Sequence, residues 1–276
     1  MKTKFNVILA IVALFVAPIA SLFVTPQAGA IIGGFNASQQ YGSVFLTLNG
    51  RRCGASLIDP YWAITAAHCT ERVVKAGLTE VRASTLNIAN PGPNYEQTIV
   101  AAVHIHPNYD PGFLINDIAV VKFQTPIHNT TPLNLSSTTP SIGTVGLTTG
   151  WGWICEEAVD PPTNPACNKG TDILQELNVK VTSNSKCAPS MWDPANQLCL
   201  VSSNGAHAMS CFGDSGAPLL VKSVDHWDLV GTPLLDGDDW NTESGCANAP
   251  DGSNGSGVFL KMSAYKSWII DTIIHN

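Results

Sequence analysis

The sequence predicts an all-β protein of two halves closed by a single C-terminal helix. Three features carry that expectation. Short apolar or alternating runs recur along the chain, and 23 Gly and 18 Pro are spread over its 276 residues. Asn129 to Gly143 is a charge-free stretch of Asn, Thr, Ser and Pro near the middle, the composition of a linker. A convincing helical pattern appears only at the end, where Tyr265, Trp268, Ile269, Thr272 and Ile273 fall on one face.

Residues 1–30 stand apart as a signal peptide. Lys2 and Lys4 make a short basic end, Val7 to Val24 is almost wholly apolar, and Ala28-Gly29-Ala30 supplies the small-x-small pattern of a cleavage site. An uncleaved membrane anchor is the competing reading. Pro18 interrupts the apolar run and no basic cluster follows it, so cleavage and export are expected. The mature chain then divides into residues 31–142 and 143–276. Val44 to Leu48 before Asn49-Gly50, Ile118 to Phe123, Leu177 to Val181 and Leu229-Val230 before Gly231 read as half-buried antiparallel strands. Ser263 stands where an N-cap of the last helix is expected.

Composition excludes several classes. Charged residues are 13%, about half the roughly 25% of soluble domains, and apolar residues reach 45%, against disorder. The net charge of -7 removes the usual electrostatic ground for binding nucleic acid or an anionic membrane. Eight cysteines, Cys53, Cys69, Cys155, Cys167, Cys187, Cys199, Cys211 and Cys246, all lie after residue 30. In an exported chain an even count suggests four disulfides, although 105 pairings are open. A zinc site would want Cys-x-x-Cys or His-Glu-x-x-His, and neither occurs. Ser84 to Glu96 lacks the paired acids of a calcium loop, so no metal and no cofactor are expected.

Three segments carry chemistry. Thr65-Ala66-Ala67-His68-Cys69 follows an apolar run, Asn116-Asp117-Ile118 opens a strand, and Cys211-Phe212-Gly213-Asp214-Ser215-Gly216-Ala217-Pro218 is a glycine-flanked turn. A serine hydroxyl is a poor nucleophile at neutral pH and needs an imidazole to take its proton. The imidazole needs a carboxylate to fix its tautomer and stabilise its charged form. A glycine beside the serine lets a backbone N–H approach a developing oxyanion. An esterase of the α/β-hydrolase type is excluded, because Ala217 takes the last place of Gly-x-Ser-x-Gly and that fold runs Ser, Asp, His along the chain. The other six histidines, His104, His106, His128, His207, His226 and His275, read as structural.

Together these segments make the chain resemble the chymotrypsin/trypsin family of secreted serine endopeptidases, from Ile31-Ile32-Gly33-Gly34 to the terminal helix. Leu57-Ile58, Trp62-Ala63-Ile64-Thr65, His106-Pro107, Thr149-Gly150-Trp151-Gly152 and Val230-Gly231 add to the match. The resemblance implies two perpendicular six-stranded antiparallel β-barrels with the site between them. It implies His68 as general base, Asp117 as its partner, Ser215 as nucleophile, and the N–H groups of Gly213 and Ser215 as the oxyanion hole. It pairs Cys53 with Cys69, Cys187 with Cys199 and Cys211 with Cys246, leaving Cys155 and Cys167, in an insertion after Trp153, to each other. Gly146 and Val221 stand where many relatives carry a further bridge.

The same resemblance places Met209 at the base of the primary pocket, Ser210 on its lining and Gly257 on its wall. An apolar base in place of an aspartate implies cleavage after uncharged residues. Leu234-Leu235-Asp236, followed by Asp238-Asp239, departs from the usual Ser-Trp-Gly, so the pocket entrance differs, with Asp236 or Gly237 at its neck. Protein or peptide substrates, protein protease inhibitors and a monomeric state are expected. The alternative from another class is a silent homologue that binds without catalysis, but such relatives normally replace a triad member and none is replaced here. In the family a new N-terminus pairs with the aspartate before the nucleophile, here Ile31 with Asp214. No Lys or Arg lies between Lys4 and Arg51, so the cut after Ala30 serves export and activation together. N-terminal sequencing of the exported protein is expected to read Ile-Ile-Gly-Gly; any other first residue refutes the single cleavage.

Overall fold

In the computed structural model the described residues are 31–48, 50–71, 79–155, 163–165, 167, 169–187, 193–205, 207–236, 246 and 255–276. The expected signal peptide 1–30, the pocket-neck candidate Gly237 and the Asp238-Asp239 pair lie outside them, as does the side chain of Asp236. The first barrel is built from β2 (Ser43–Leu48), β3 (Arg51–Asp59), β4 (Trp62–Thr65), β5 (Thr79–Ala83), β6 (Glu96–Ile105) and β7 (Ala119–Phe123). It closes in the order β2-β3-β4-β7-β6-β5, with β5 returning to β2. All its pairs are antiparallel, and Leu48 pairs with Arg51 across the hairpin that ends in Gly50 at φ 82°.

The second barrel uses β9 (Val145–Gly150), β10 (Gln175–Val181), β11 (Gln197–Ser202), β12 (Leu219–Lys222), β13 (Trp227–Asp236) and β14 (Ser256–Lys261). Its order is β10-β11-β14-β13-β12-β9, closed by β9 on β10. Two short strands attach to it from elsewhere in the chain. β1 (Phe35–Asn36) adds antiparallel to β10, and β8 (Asn134–Leu135), inside the linker, adds parallel to β13. Neither follows from the sequence, because a two-residue strand has no period to read.

Alternation turns one row of side chains into each barrel. Val44, Leu46, Ala55, Leu57, Val81, Val121 and Phe123 fill the first, and Leu177, Val179, Leu198, Leu200, Leu219 and Phe259 the second. A third cluster lies where the barrels meet, joining Ile64, Ile118 and Val120 to Leu147, Leu220, Leu229 and Leu234. Four disulfides brace the frame: Cys53–Cys69, Cys155–Cys167, Cys187–Cys199 and Cys211–Cys246. A Cβ on Gly146 would lie 3.7 Å from Val221 Cγ2, so the two positions of the missing bridge are neighbours across β9 and β12.

Among the described residues helices are few: a single turn α1 (Ala67–Thr70), a 3-10 turn at Asn184–Lys186, and α2 (Met262–His275). Met262, Tyr265 and Ile269 of α2 are buried, and Trp268 and Ile273 pack beside them, as the spacing predicts. Ser263 is not its N-cap. The helix begins at Met262, straight out of β14, with Lys261 in the cap position, and the Ser263 hydroxyl is bonded to Thr139 Oγ1 at 2.9 Å. The strand expected to stop at Gly231 runs through it to Asp236. A Cβ there would stand 2.6 Å from the Leu260 carbonyl, so this glycine permits close strand approach and does not end the strand. The strand expected from Ile118 begins at Ala119, since the Ile118 N–H turns back to Asn116 O at 2.7 Å.

Phe123 is 1% exposed in the first core, so Phe123→Ala is expected to cost about 3–5 kcal/mol. That lowers Tm by roughly 10 °C in a protein of this size. Ile142→Ala, at a side chain 71% exposed, is expected to leave Tm unchanged in the same calorimetric scan.

Candidate active site

The candidate residues gather on the seam between the barrels. α1 follows β4, and its second residue is His68. Asp117 precedes β7, which pairs with β4, so hydrogen bonding between these two strands sets the two side chains side by side. Asp117 is fully buried. Its Oδ1 accepts the His68 backbone N–H at 2.7 Å and its Oδ2 meets His68 Nδ1 at 2.5 Å. The imidazole is 29% exposed, with one edge tied and the other open. With Nδ1 donating to the carboxylate, the free lone pair is on Nε2.

Nε2 lies 3.7 Å from Cys69 Sγ, and the same sulfur lies 4.0 Å from the carbonyl oxygen of Ser215. The Cys53–Cys69 disulfide is therefore a wall that touches both catalytic candidates. Cys53, His68 and Cys69 are the one group among the described residues with metal-ligand spacing. Both sulfurs are in the disulfide, which leaves no thiolate to hold an ion. No hydrogen bond joins Ser215 Oγ to His68 Nε2 in this structure, and such bonds are often long before substrate binds.

Ser215 is held by two consecutive turns. Asp214 N–H donates to Cys211 O at 3.0 Å and Ala217 N–H to Asp214 O at 3.0 Å. Gly213 (φ 97°) and Gly216 (φ 85°) occupy the third place of each turn, where a positive φ is required. The first barrel fastens this loop from behind: Gly54 N–H donates to Ser215 O at 2.9 Å and Ser56 Oγ to Gly216 O at 3.3 Å. The N–H groups of Gly213 and Ser215 donate to no other described residue. They remain available to an incoming oxygen.

The Asp214 side chain is enclosed. It is fully buried, accepting Gly152 N–H at 2.8 Å and Cys211 N–H at 2.9 Å. A Cβ on Gly152 would fall 2.6 Å from this carboxyl, which accounts for a glycine there. Among the described residues no cationic side chain pairs with Asp214. Burial pushes its carboxyl up to about 7, although the two N–H donors pull the other way. Ile31 is buried nearby, its N–H donating to Trp153 O at 3.1 Å, while Ile32 and Met209 exchange two backbone bonds at 3.0 and 3.1 Å. Trp153 N–H in turn donates to Phe212 O at 2.9 Å, a link between the Ile31 segment and the Ser215 turn that no motif announces.

Met209 is fully buried, and a Cβ on Gly257 would lie 2.8 Å from its sulfur, so the two residues lie against each other. Ser210 is buried beside them.

Known sequences resemble this chain over most of its length. The sequence model of the family described as Trypsin matches residues 31–269. The chain is 31% identical to human "Serine protease 1" over 258 residues, covering 89% of this chain and 90% of that protein. It is 30% identical to the "Trypsin" of Sarcophaga bullata over 225 residues, covering 80% and 78%. It is 26% identical to mouse "Kallikrein 1-related peptidase b11" over 269 residues, covering 91% and 92%. The chain belongs to the trypsin family, and it is a serine-type endopeptidase.

The Asp214 site gives a test in the chain still joined to Ala30. A carboxyl with a folded pKa above its unfolded one binds more protons when folded. The stability it contributes at low pH is then lost as pH rises from about 4 through about 7. The loss is expected to be on the order of 4 kcal/mol in urea unfolding across that range. Asp214→Asn should flatten this slope.

Proposed function

We propose that this chain is a secreted endopeptidase that cleaves after uncharged residues through an acyl-enzyme on Ser215. The observation that carries the reading is the pairing of both Asp117 oxygens with His68, on a wall shared with the Ser215 turn. His68 Nε2 takes the Ser215 proton as Oγ attacks the scissile carbonyl carbon. The resulting oxyanion accepts the N–H groups of Gly213 and Ser215, and Asp117 stabilises the imidazolium. The intermediate collapses as Nε2 gives its proton to the leaving amine. A water then repeats the sequence on the acyl ester, restoring Ser215 and releasing the acid.

Residues 1–30 are the signal peptide in this reading, and the cut after Ala30 turns the Ile31 amide into an α-ammonium. That cation compensates the buried Asp214 carboxylate, which otherwise lacks one. Since an α-amine titrates near pH 8, activity declines at alkaline pH as the pair is lost. At the pocket base, Met209 offers a thioether. A substrate arginine would stand against it without a partner, at several kcal/mol, whereas Leu, Met, Phe or Tyr would bury apolar surface. Protein or peptide substrates and protein protease inhibitors are the partners, and the enzyme acts as a monomer. Among the described residues no helix is long and apolar enough to cross a membrane.

Incubation with a serine-reactive phosphonate is expected to label Ser215 and to abolish activity, and Ser215→Ala to lower kcat by roughly a thousandfold or more. An unlabelled Ser215 would mean a silent homologue. Among matched peptides, those with Phe or Leu before the scissile bond should be cleaved faster than the one with Arg; a hundredfold preference for Arg would refute Met209 as the selecting residue.

A further inference from the structure

The Asp117 carboxylate has no holder of its own. Both of its hydrogen bonds come from His68, the group it is meant to orient. Among the described residues no third side chain or N–H reaches it. Its direction is therefore set by its main chain, and that main chain is unusual. Leu114 and Asn116 both have positive φ, 50° and 53°, a region that Leu rarely enters and that Asn enters as a single residue. Ile118 N–H bonds back to Asn116 O at 2.7 Å, a three-residue turn with Asp117 at its apex. A small rotation at Asn116 would swing the carboxylate directly.

What holds Asn116 comes from far along the chain. Its Nδ2 donates to Asn108 O at 2.9 Å, and its Oδ1 accepts the hydroxyl of Tyr265 at 3.1 Å. Tyr265 is 149 residues away, in the first turns of α2, and only 3% exposed. Its ring is fixed in turn by His106, edge to face at 5.5 Å, and His106 N–H donates to Ile118 O at 3.0 Å. The contacts thus form a closed circuit around Asp117: Asn116 before it, Ile118 after it, His106 on Ile118, and Tyr265 joining His106 to Asn116.

We infer that Tyr265 and Asn116 are positioning residues for the Asp117–His68 pair, so that the terminal helix sets the aim of the catalytic carboxylate. This rests on the triad reading above. In Tyr265→Phe the ring and its packing on His106 are kept and only the hydroxyl is lost. Asn116→Gly keeps the left-handed backbone accessible and removes the side chain.

The test uses the mature enzyme, with rates normalised by phosphonate titration of Ser215. Each single variant is expected to lose about tenfold in kcat with KM unchanged. The double variant should lose no more than the worse single one, because the two act as one unit. The low-field proton resonance of the His68 Nδ1–H in its short bond to Asp117 should broaden or move upfield in Tyr265→Phe. Wild-type kcat with an unmoved resonance in Tyr265→Phe overturns the inference. So does a lower Tm with normal kcat per titrated site, or additive losses in the double variant. If the unmodified enzyme takes up no phosphonate, it is the triad reading that has failed instead.

Discussion

The hydrogen bond from Gly54 N–H to Ser215 O is the contact on which the rest of the architecture depends. It is made between a strand of one barrel and the Ser215 turn of the other, so it exists only when both barrels are closed and docked. Around it there is no room for larger residues. A Cβ on Gly54 would stand 2.7 Å from Ala217 Cβ, and one on Gly216 would stand 2.9 Å from Ala66 N. Thr65 Oγ1 donates to Gly54 O at 2.8 Å, and Thr232 Oγ1 to Ala217 O at 2.9 Å. A seam built from backbone and hydroxyl bonds at van der Waals contact leaves little freedom for the serine to move relative to the histidine. Such rigidity is what positioning a reaction requires.

The buried charge nearby follows the opposite logic. Most of this interior is apolar or internally hydrogen-bonded, yet Asp214 is enclosed with only two N–H donors. Such a site is poorly satisfied until a cation arrives. The glycines at 150 and 152 leave space for the carboxyl itself, and the Ile31 segment is already seated alongside through Trp153 and Met209.

Much of the candidate site was legible because its residues sit in short local patterns. His68 and Ser215 lie in segments whose glycines, cysteine and flanking apolar runs announce a turn or a strand end, and Asp117 stands just before an apolar strand. The two-half organisation was legible from the charge-free stretch 129–143 and the alternation in β2, β7 and β10. Other features were not, and the reasons are physical. β1 and β8 are two residues long and owe their form to partners more than 90 residues away. Gly231 looked like punctuation because a glycine's reason, a neighbouring carbonyl, is invisible in one dimension. Ser263 had the chemistry of a cap, but β14 feeds the helix one residue earlier and the hydroxyl is used by Thr139. The Asn116–Tyr265 bond joins residues 149 apart, and nothing in either neighbourhood refers to the other.

The placement of β1 bears on how the chain comes to be folded. Residues 31–36 emerge early from the ribosome, yet their partners are Trp153, Glu176 and Met209. Strands β2 to β7 can close on one another as soon as they are synthesised, while the segment before them stays unpaired until more than a hundred further residues have appeared. A chain under synthesis therefore carries residues 31–36 without their partners until the strands of the second barrel follow. The order of synthesis thus delays this pairing, and completion of the second barrel supplies it.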